Sequence, residues 1–332
     1  MKSQRLSIKD VAHKANVSIA TVSHVLNKTR FVSDEVTQRV MDALAETNYK
    51  SNNIAKALRQ NKTHTIGVII PDIINPFFSN LVNYIEMELN EYGYNIILCH
   101  SRDDLTREIE SINKLNSWAV DGMIIAPASP DFDYSELKMD RPCPIVFADR
   151  RPNMKNYSGV FFDLHNIFQR ATEELILAGH EKIGCILGTI RFSTTHDRVK
   201  GYREAIEKHG LPVREDYIII TETTVESGYH AIERLIKETD ITAVIVANSR
   251  MSIGVIKYLN QQQIAIPESM AVIGFEAAEW GEIIQPPLTS IRETVGDMGV
   301  AIARLMLDIL QNPEQEERQI QLEPYLTARS SY

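Results

Sequence analysis

Short runs of consecutive apolar residues, separated by longer stretches of helical periodicity, recur along the chain from Thr65 onward. Such runs indicate strands buried on both faces, as in parallel sheets covered by helices, because strands with one solvated face alternate apolar and polar residues. The runs lie at residues 66–70, 96–99, 122–126, 145–148, 160–162, 183–187, 218–220, 243–247 and 272–275. They form two sets with a break near Asp163 and Leu164. The pattern predicts an α/β core of two doubly wound parallel-sheet lobes.

The end of the chain predicts a return to the first lobe. Pro286 and Pro287, with Thr289, Ser290 and Ile291, suggest that the chain crosses back before a last helix at about 295–310. We therefore expect lobe 1 to comprise about 62–162 and 292–320, and lobe 2 about 163–291 and 321–332. Ligands of such sheets bind at the carboxyl ends of the strands, so the predicted pocket lies between the lobes.

Charge is distributed unevenly along the chain. Residues 1–60 contain ten Lys and Arg against five Asp and Glu, although the whole chain of 332 residues has a formal net charge of −9. Binding to phosphates requires Lys and Arg, so a basic module attached to an acidic body fits a protein that holds DNA at one end.

Neither membrane insertion nor secretion is expected. No run approaches the roughly 18 apolar residues of a membrane span, and the first residues lead into an amphipathic helix instead of an apolar signal segment. Cys99, Cys143 and Cys185 are odd in number and lack metal-knuckle spacing, so buried structural thiols are the better interpretation. We expect a cytoplasmic protein.

Residues 1–48 predict three short helices that form a headpiece. Ser7 can cap a helix to about residue 15, Ser18 a second helix to about Leu26, and Ser33 precedes a third. Two helices joined by a tight turn, the second exposing small and polar side chains at its start, suit insertion into the major groove. Periodicity alone fits a generic three-helix bundle with solvated faces equally well.

The order of residues in this segment narrows that choice. The stretches SIKDVA (7–12), ANVS (15–18), TVSHVLN (21–27) and VSDE (32–35) closely resemble the headpiece of the lactose/galactose repressor family. Residues 23–25 and 27–32 look most like the purine-repressor branch of that family. This many matches in one register form a strong signal, unlike an isolated short motif.

The resemblance implies two groups of DNA-contacting side chains. Ile19, Ala20 and His24 stand where family members contact base edges, and Arg30 where a further DNA contact is made. The phosphate-facing or turn-stabilising positions are Ser18, Thr21, Ser23 and Asn27. Ile and Ala can offer only apolar contact, for instance to a thymine methyl group, whereas His or Arg can donate to guanine acceptors. His24 replaces the Arg of many relatives, so no operator sequence is predicted.

Residues 49–61 are predicted to form a hinge helix and linker. A helix this short is marginal by itself in water, so an ordinary interdomain linker is the alternative. The segment nevertheless resembles the family's hinge helix, which implies that two copies meet in the minor groove. Leu58 matches the wedge between base pairs, and Ala55 and Lys56 match its groove-facing neighbours. Ser51 replaces the usual Pro and Lys56 the usual Arg, which predicts a looser hinge.

The family resemblance continues over the core, residues 62–332. Its motifs include IGVIIPD (66–72), NPFF (75–78), RVKGY (198–202) and PLTSIR (287–292). They resemble repressor cores and their periplasmic sugar-binding relatives, which implies a periplasmic-binding-protein-like fold with an effector between the lobes. The residues at implied effector contacts are Phe77, Phe78, Asp149, Arg198, Asn248, Glu276 and Glu293. Taken alone, each of these residues could equally be a surface charge or a loop residue whose hydrogen bonds are satisfied within the protein.

Two departures from the family pattern bear on the effector. Ser249 follows Asn248 where Asp is frequent, and Glu276 replaces the usual Asp. Both changes alter the recognition of sugar hydroxyls. Four arginines lie near the candidate pocket loops, namely Arg150, Arg191, Arg198 and Arg250. A sugar is the implied effector, and the arginines add a sugar acid or sugar phosphate as a hypothesis.

An enzyme and a transport-type binding protein are the competing interpretations. Doubly wound sheets host many enzymes, but the sequence lacks a dinucleotide-binding glycine motif, a Walker loop, a nucleophile elbow and a His-Glu-x-x-His motif. No catalytic residue, metal site or cofactor is therefore predicted, and Asp103 and Asp104 are interpreted as part of a solvated helix face. A transport-type binding protein would need a secretion signal, and it would not need the basic module at residues 1–60.

We therefore predict a transcription regulator, a repressor, that binds a pseudo-palindromic operator as a homodimer, because one headpiece buries little surface on DNA. The helix at 76–92 could supply the dimer interface through Leu81, Ile85 and Leu89, although these positions suit an intramolecular core equally well. Some family members also take a phosphorylated carrier protein as co-regulator, so a phosphocarrier partner is a further implication of the resemblance.

Overall fold

The chain forms two compact units, residues 1–63 and 64–332. The computed structural model describes residues 7–27, 30–47, 62–276 and 280–332. In the first unit the helices are α1 (Ile8–Lys14), α2 (Ile19–Asn27) and α3 (Asp34–Thr47). The helix starts predicted at Ser7, Ser18 and Ser33 are confirmed.

Local hydrogen bonds explain where the first two helices begin. The Asp10 carboxylate accepts the backbone N–H of Ser7 at 2.6 Å, which lowers the pKa of Asp10. Ser18 Oγ accepts the backbone N–H of Thr21 at 3.0 Å, so it satisfies one of the free donors at the start of α2. Between the helices, Asn16 has a left-handed backbone (φ 51°), which Asn tolerates better than most residues.

A small apolar core holds the three helices together. Its buried members are Val11, Ala12, Ala15, Val22, Val40 and Ala43. Leu26, in the last turn of α2, is 37% exposed and is not part of this core.

The second unit contains two six-stranded sheets. The strands are β1 (Thr65–Ile70), β2 (Asn95–His100), β3 (Gly122–Ile125), β4 (Ile145–Ala148), β5 (Ser158–Phe162), β6 (Ile183–Leu187), β7 (Ile218–Ile220), β8 (Ala243–Val246), β9 (Ala271–Phe275), β10 (Thr289–Arg292), β11 (Gln319–Leu322) and β12 (Tyr325–Thr327). The helices are α4 (Pro76–Glu91), α5 (Leu105–Ser117), α6 (Leu164–Leu177), α7 (Ser193–Lys208), α8 (Val225–Glu238), α9 (Ser249–Gln261), α10 (Trp280–Ile283) and α11 (Val295–Gln311).

Both sheets have the doubly wound arrangement that the sequence predicts. The first has the order β11-β5-β4-β3-β1-β2 and is parallel throughout. The second has the order β12-β10-β9-β8-β6-β7 and is parallel except for β12, which pairs antiparallel with β10. Most strands predicted from continuous apolar runs are buried, as strands covered on both faces should be, but the edge strands β2 and β7 are only half-buried or exposed.

The chain passes between the two sheets three times. It leaves the first sheet after β5, returns after β10 to form α11 and β11, and crosses again to β12. Asp163 marks the first crossing, where its carboxylate accepts the N–H of Asn166 at 3.1 Å and caps α6. Each lobe is therefore built from separate pieces of sequence.

Helix α4 belongs to the core of the first lobe. Leu81, Ile85 and Leu89 are fully buried within the single chain. Their predicted role as a dimer interface is wrong, because α11 packs closely on this helix: a Cβ placed on Gly299 would lie 2.5 Å from Tyr84 Cβ. These three residues instead belong to the intramolecular core of the first lobe, which was the alternative interpretation.

The cysteines suit structural roles. Cys185 is buried, Cys99 and Cys143 are half-buried, and all three are free thiols. Burial raises the pKa of Cys143 to about 11. Within the described ranges, no helix is long and apolar enough to cross a membrane, and no cluster of His, Cys, Asp and Glu could hold a metal ion.

Candidate DNA-binding surface and effector pocket

The first turn of α2 presents its side chains to solvent. Ser18, Ile19 and Ala20 are exposed, and Ile19 at 41% is large and apolar. The remaining candidates of the headpiece are the half-buried Thr21, Ser23 and His24 and the exposed Arg30. A helix that buries Val22 and leaves its first turn open can enter a groove of DNA. The side chain of Asn27 and the hinge residues Ala55, Lys56 and Leu58 lie outside the described residues.

In the second unit, a cavity lies between the two sheets, and all seven predicted effector residues line it: Phe77, Phe78, Asp149, Arg198, Asn248, Glu276 and Glu293. Four of them come just after a strand. Asp149 follows β4, Asn248 comes soon after β8, Glu276 follows β9 and Glu293 follows β10. Asn75 caps α4 by accepting the N–H of Phe77 at 3.1 Å, which fixes the start of the helix that carries both phenylalanines. The cavity therefore opens at the carboxyl ends of the strands.

Arg198 is the cation at the centre of one wall. Its guanidinium lies 5.0 Å from the centre of the Phe275 ring, and Nη2 lies 3.6 Å from Glu293 Oε1. Nε is buried without a hydrogen-bond partner among the described residues. Burial lowers the pKa of Arg198, and the nearby carboxylates of Glu293 and Asp149 oppose that effect. The arginine thus retains unused donor capacity inside the protein.

The two carboxyl groups near Arg198 are also perturbed by burial. Burial raises the pKa of Glu293 to about 7, against the attraction of Arg198. Burial likewise raises the pKa of Asp149, which Arg150 and Arg198 counteract. Asp149 also has a left-handed backbone (φ 64°), an unfavourable conformation for a residue with a side chain and one that is frequent at ligand sites.

A second arginine joins the lobes beside this group. The Arg150 guanidinium lies 3.7 Å from the centre of the Phe192 ring in the second lobe, and it also lies near Phe78. It donates to the carboxylate of Asp103 and to the carbonyl of Pro127. The interpretation of Asp103 as part of a solvated helix face is wrong: it lines the cavity and neutralises Arg150.

Three further contacts connect the lobes near the cavity. Arg250 Nη1 lies 3.1 Å from Asp72 Oδ2, and Arg151 Nη1 lies 2.8 Å from Asp197 Oδ2. Arg191 donates to the backbone carbonyl of Asp103 at 2.7 Å. Residues of the first and second lobe thus hold each other across the cleft.

Two of the predicted effector residues are already engaged by the protein. Asn248 Oδ1 caps α9, where it accepts the N–H groups of Arg250 and Met251. The Glu276 carboxylate accepts from Ser290 and Arg329 at 2.8 Å. Both residues line the cavity, but part of their hydrogen-bonding capacity is used for structure.

The arginines near the pocket already have partners within the protein. Arg150 pairs with Asp103, Arg198 with Glu293 and Arg250 with Asp72, and Arg191 is bonded to a carbonyl. The described lining of the cavity contains four acidic side chains and two arginines. A negatively charged ligand would therefore compete with carboxylates that already hold the arginines, which argues against the sugar acid or sugar phosphate hypothesis.

The pocket includes residues that the sequence does not single out, among them Asn75, Asp103, Phe192, Thr194 and Thr195. Most of these lie at strand-to-helix connections, which are the positions that face the cleft in a doubly wound sheet. Asn75 and Phe192 flank helix starts and could have been found from that signal. The partners of Asp103 could not, because they are distant in sequence.

A three-helix headpiece followed by a two-lobed core with a polar cleft defines a ligand-responsive DNA-binding regulator. Residues 7–52 match the family described as bacterial regulatory proteins, lacI family, and residues 63–330 match periplasmic binding proteins and the sugar binding domain of the LacI family. The chain belongs to the LacI family of transcription regulators.

Similar proteins match this chain over nearly its full length. Catabolite control protein A of Priestia megaterium is 32% identical over 328 residues, 98% of this chain and 99% of that protein. The ribose operon repressor of Escherichia coli is 32% identical over 333 residues, again 98% and 99%. Both are named as regulators and neither as an enzyme.

Solved structures support the same fold. The complex of the transcriptional regulator CelR with cellobiose is 26% identical, with a TM-score of 0.72 over 99% of this chain and all of that one. The Lac repressor dimer bound to operator and an anti-inducer has a TM-score of 0.87 over 99% of both chains, at 22% identity. The predicted headpiece and two-lobed core are confirmed.

Proposed function

We propose that the chain is a repressor that binds a pseudo-palindromic operator as a homodimer and that a neutral sugar held between the lobes controls its affinity for the operator. The observation that carries this proposal is the cavity itself. Aromatic rings, two arginines and four carboxyl groups converge there at the carboxyl ends of the strands. Buried ionisable groups with shifted pKa values concentrate at functional sites, because burying charge is costly unless it serves a purpose.

A hydroxyl-rich, uncharged ligand suits the cavity best. Sugar hydroxyls can accept from the planar fork of Arg198 and donate to the carboxylates of Asp149 and Glu293. The rings of Phe77 and Phe78 offer apolar surface to the C–H faces of a sugar. The names of two similar proteins, the ribose operon repressor and the CelR–cellobiose complex, support this class of effector.

On DNA, we propose that α2 lies in the major groove. Ile19, Ala20 and His24 then contact base edges, with Arg30 adding a further contact. Phosphate contacts or turn stabilisation fall to Ser18, Thr21, Ser23 and Asn27. In the hinge, Leu58 wedges into the minor groove with Ala55 and Lys56 beside it.

We propose the domain boundaries in the same terms: a headpiece of residues 1–48, a hinge of 49–61 and a core of 62–332. The lobes then comprise about 62–162 with 292–320, and about 163–291 with 321–332. The changes of sheet after β5 and β10 support the limits near residues 162 and 292, whereas β11 keeps residues 321 and 322 in the first sheet, so the last crossing lies after Leu322 and not after residue 320.

A homodimer is supported by the exposed apolar side chains of the core. Tyr84 and Met87 on the outer face of α4 are 40% and 55% exposed, and Ile74 beside that helix is 75% exposed. In the second lobe, Ile253 and Ile283 are 38% and 80% exposed. Large exposed apolar side chains on both lobes are compatible with association with a second copy. Two headpieces can then contact two half-sites of an operator.

Coupling between the sites would follow from lobe closure. An effector that binds both lobes favours one angle between them, and that angle sets the spacing of the two hinges in a dimer. Such coupling is typically worth about 1–3 kcal/mol. The cross-cleft pairs Arg250–Asp72 and Arg151–Asp197 are the contacts that such a movement would break or make.

The DNA part of the proposal is tested by fluorescence anisotropy with the chain's own promoter fragment. We expect His24→Ala to weaken binding to that fragment by about 5–100-fold, the usual cost of one lost base contact. His13→Ala, an exposed histidine at the end of α1, is the matched control and should bind like the wild type. If the wild type does not bind the fragment at low ionic strength, with or without sugars, the proposal is wrong.

The effector part is tested by calorimetry with D-ribose, D-glucose and cellobiose against D-gluconate and ribose 5-phosphate. We expect a neutral sugar to bind and the two anions not to bind. Arg198→Lys should weaken the sugar by at least about tenfold, because a single ammonium cannot replace the fork. Binding of the anions alone would contradict the proposed effector class.

Two further features complete the proposal. A regulator of DNA acts where the DNA is, so we place it in the cytoplasm. A phosphocarrier co-regulator stays a prediction that rests on the family resemblance. A pull-down with a purified carrier protein, phosphorylated and unphosphorylated, would test it.

A further inference from the structure

Arg329, three residues from the end of the chain, reaches the wall of the cavity. Its Nη1 donates to Glu276 Oε2 at 2.8 Å, to Ser290 Oγ at 3.2 Å and to the carbonyl of Leu288 at 2.6 Å. The side chain of Glu276 is fully buried, and that of Arg329 is 11% exposed. The two residues form a buried ion pair between the C-terminal segment and the pocket.

The Glu276 carboxylate is almost saturated by the protein. Oε2 also accepts from Ser290 Oγ at 2.8 Å, and Oε1 accepts the backbone N–H of Gly281 at 3.3 Å. A carboxylate offers about four acceptor positions, so little capacity is left for a ligand. Glu293 is held much more loosely, since its contact with Arg198 is 3.6 Å long.

The residues around Arg329 are anchored just as firmly. Ser331 is 1% exposed, and its carbonyl accepts the N–H of Val272 at 2.7 Å. Its Oγ accepts the N–H of Thr289 at 2.8 Å and donates to the carbonyl of Val272 at 2.6 Å. The end of the chain thus joins β9 and β10, the two strands that lead into Glu276 and Glu293.

We propose that Arg329 is a positioning residue for effector recognition. Arg329 keeps Glu276 as its own counter-ion, so the side chains that bind the effector are those of Asp149, Arg198 and Glu293. The inference rests on the proposed function of the cleft and deepens it, because it states which carboxylates recognise the ligand. Removal of Arg329 would leave an unpaired carboxylate facing the cavity, which is strongly unfavourable for a buried charge.

A double-mutant cycle tests the pair without any ligand. Arg329→Gln should lower the midpoint of thermal unfolding of the full chain by roughly 10 °C. The double variant Glu276→Gln/Arg329→Gln should regain most of this loss, because neither charge is then left alone. Arg318→Gln is the matched control: its partner Asp308 is also 2.8 Å away, but both side chains are about half exposed, so a shift of only about 2 °C is expected. Equal losses in Arg329→Gln and the double variant would overturn the proposal.

Titration with D-ribose tests the assignment of roles. Glu276→Gln should bind within about threefold of the wild type, whereas Asp149→Asn should bind at least about tenfold more weakly. Arg329→Gln should bind D-ribose more weakly than Arg329→Lys, because only the former leaves the charge of Glu276 without a counter-ion at the cavity wall. A loss in Glu276→Gln as large as that in Asp149→Asn would refute the inference. If D-ribose does not bind the wild type, the proposed effector fails, and the unfolding cycle alone decides the role of Arg329.

Discussion

Glu293 should make the stability of the core depend on pH. Burial raises its pKa from an ordinary value of 4.5 to about 7. A carboxyl group whose pKa is raised in the folded state contributes stability that is fully present below pH 4.5 and is lost as the pH rises through about 7. Each tenfold change in an ionisation constant corresponds to about 1.4 kcal/mol, so the loss is at most about 3 kcal/mol.

Glu293→Gln removes this titration. The amide stays neutral, so the free energy of unfolding of the wild type relative to the variant should fall by about 3 kcal/mol between pH 4.5 and pH 8. For a domain of this size that is on the order of 6–12 °C in the midpoint. The attraction between Glu293 and Arg198 exists only while Glu293 is ionised, and it is already contained in the pKa of about 7.

Tryptophan fluorescence is a suitable assay, because both tryptophans, Trp118 and Trp280, belong to the core unit. Thermal midpoints at pH 5, 6, 7 and 8 would be compared for the wild type, Glu293→Gln and Glu314→Gln. Glu314 is exposed, so its variant should follow the wild type. Parallel profiles for the wild type and Glu293→Gln would refute the reasoning.

Three further predictions concern packing, capping and the cleft. Gly299→Ala should destabilise the core by about 2–4 kcal/mol in urea unfolding, because the added Cβ meets α4. Gly296→Ala is the control and should destabilise the core much less, because the nearest atom to its added Cβ would be 3.3 Å away. Ser18→Ala should raise the amide exchange rate of α2 by about fivefold in mass spectrometry, since it removes a cap, and core peptides should not change. Asp72→Asn should speed effector dissociation by about two- to fivefold in stopped-flow measurements, because it breaks the pair with Arg250 across the cleft, and unchanged kinetics would contradict a closing role.

Elements defined by local chemistry were predictable from the sequence. The headpiece helices begin at hydroxyl side chains that satisfy free backbone donors, and the central strands are continuous apolar runs. β11 and β12 escaped this criterion. They lie at sheet edges, and β11 alternates exposed and half-buried residues along Gln319–Leu322, so neither presents an apolar run.

The site was predictable as a set of positions but not as a set of interactions. Strand ends and the family resemblance brought together the residues that line the cavity. The pairings that decide its charge join residues far apart in sequence, such as Arg250 with Asp72 and Arg329 with Glu276. No local pattern identifies such partners. Arginines near a pocket therefore suggested an anion site in the sequence, and only their neighbours in space argue against that hypothesis.

The three crossings of the chain between the sheets also determine when each lobe can fold during synthesis. Neither lobe is complete until residues 319–327 have left the ribosome, because β11 ends at Leu322 and β12 at Thr327. A chain that stops before residue 319 would carry two unfinished sheets with bare edges, which are prone to aggregate. Premature termination should therefore yield material for degradation and spare the cell a DNA-binding headpiece whose attached core no metabolite can regulate.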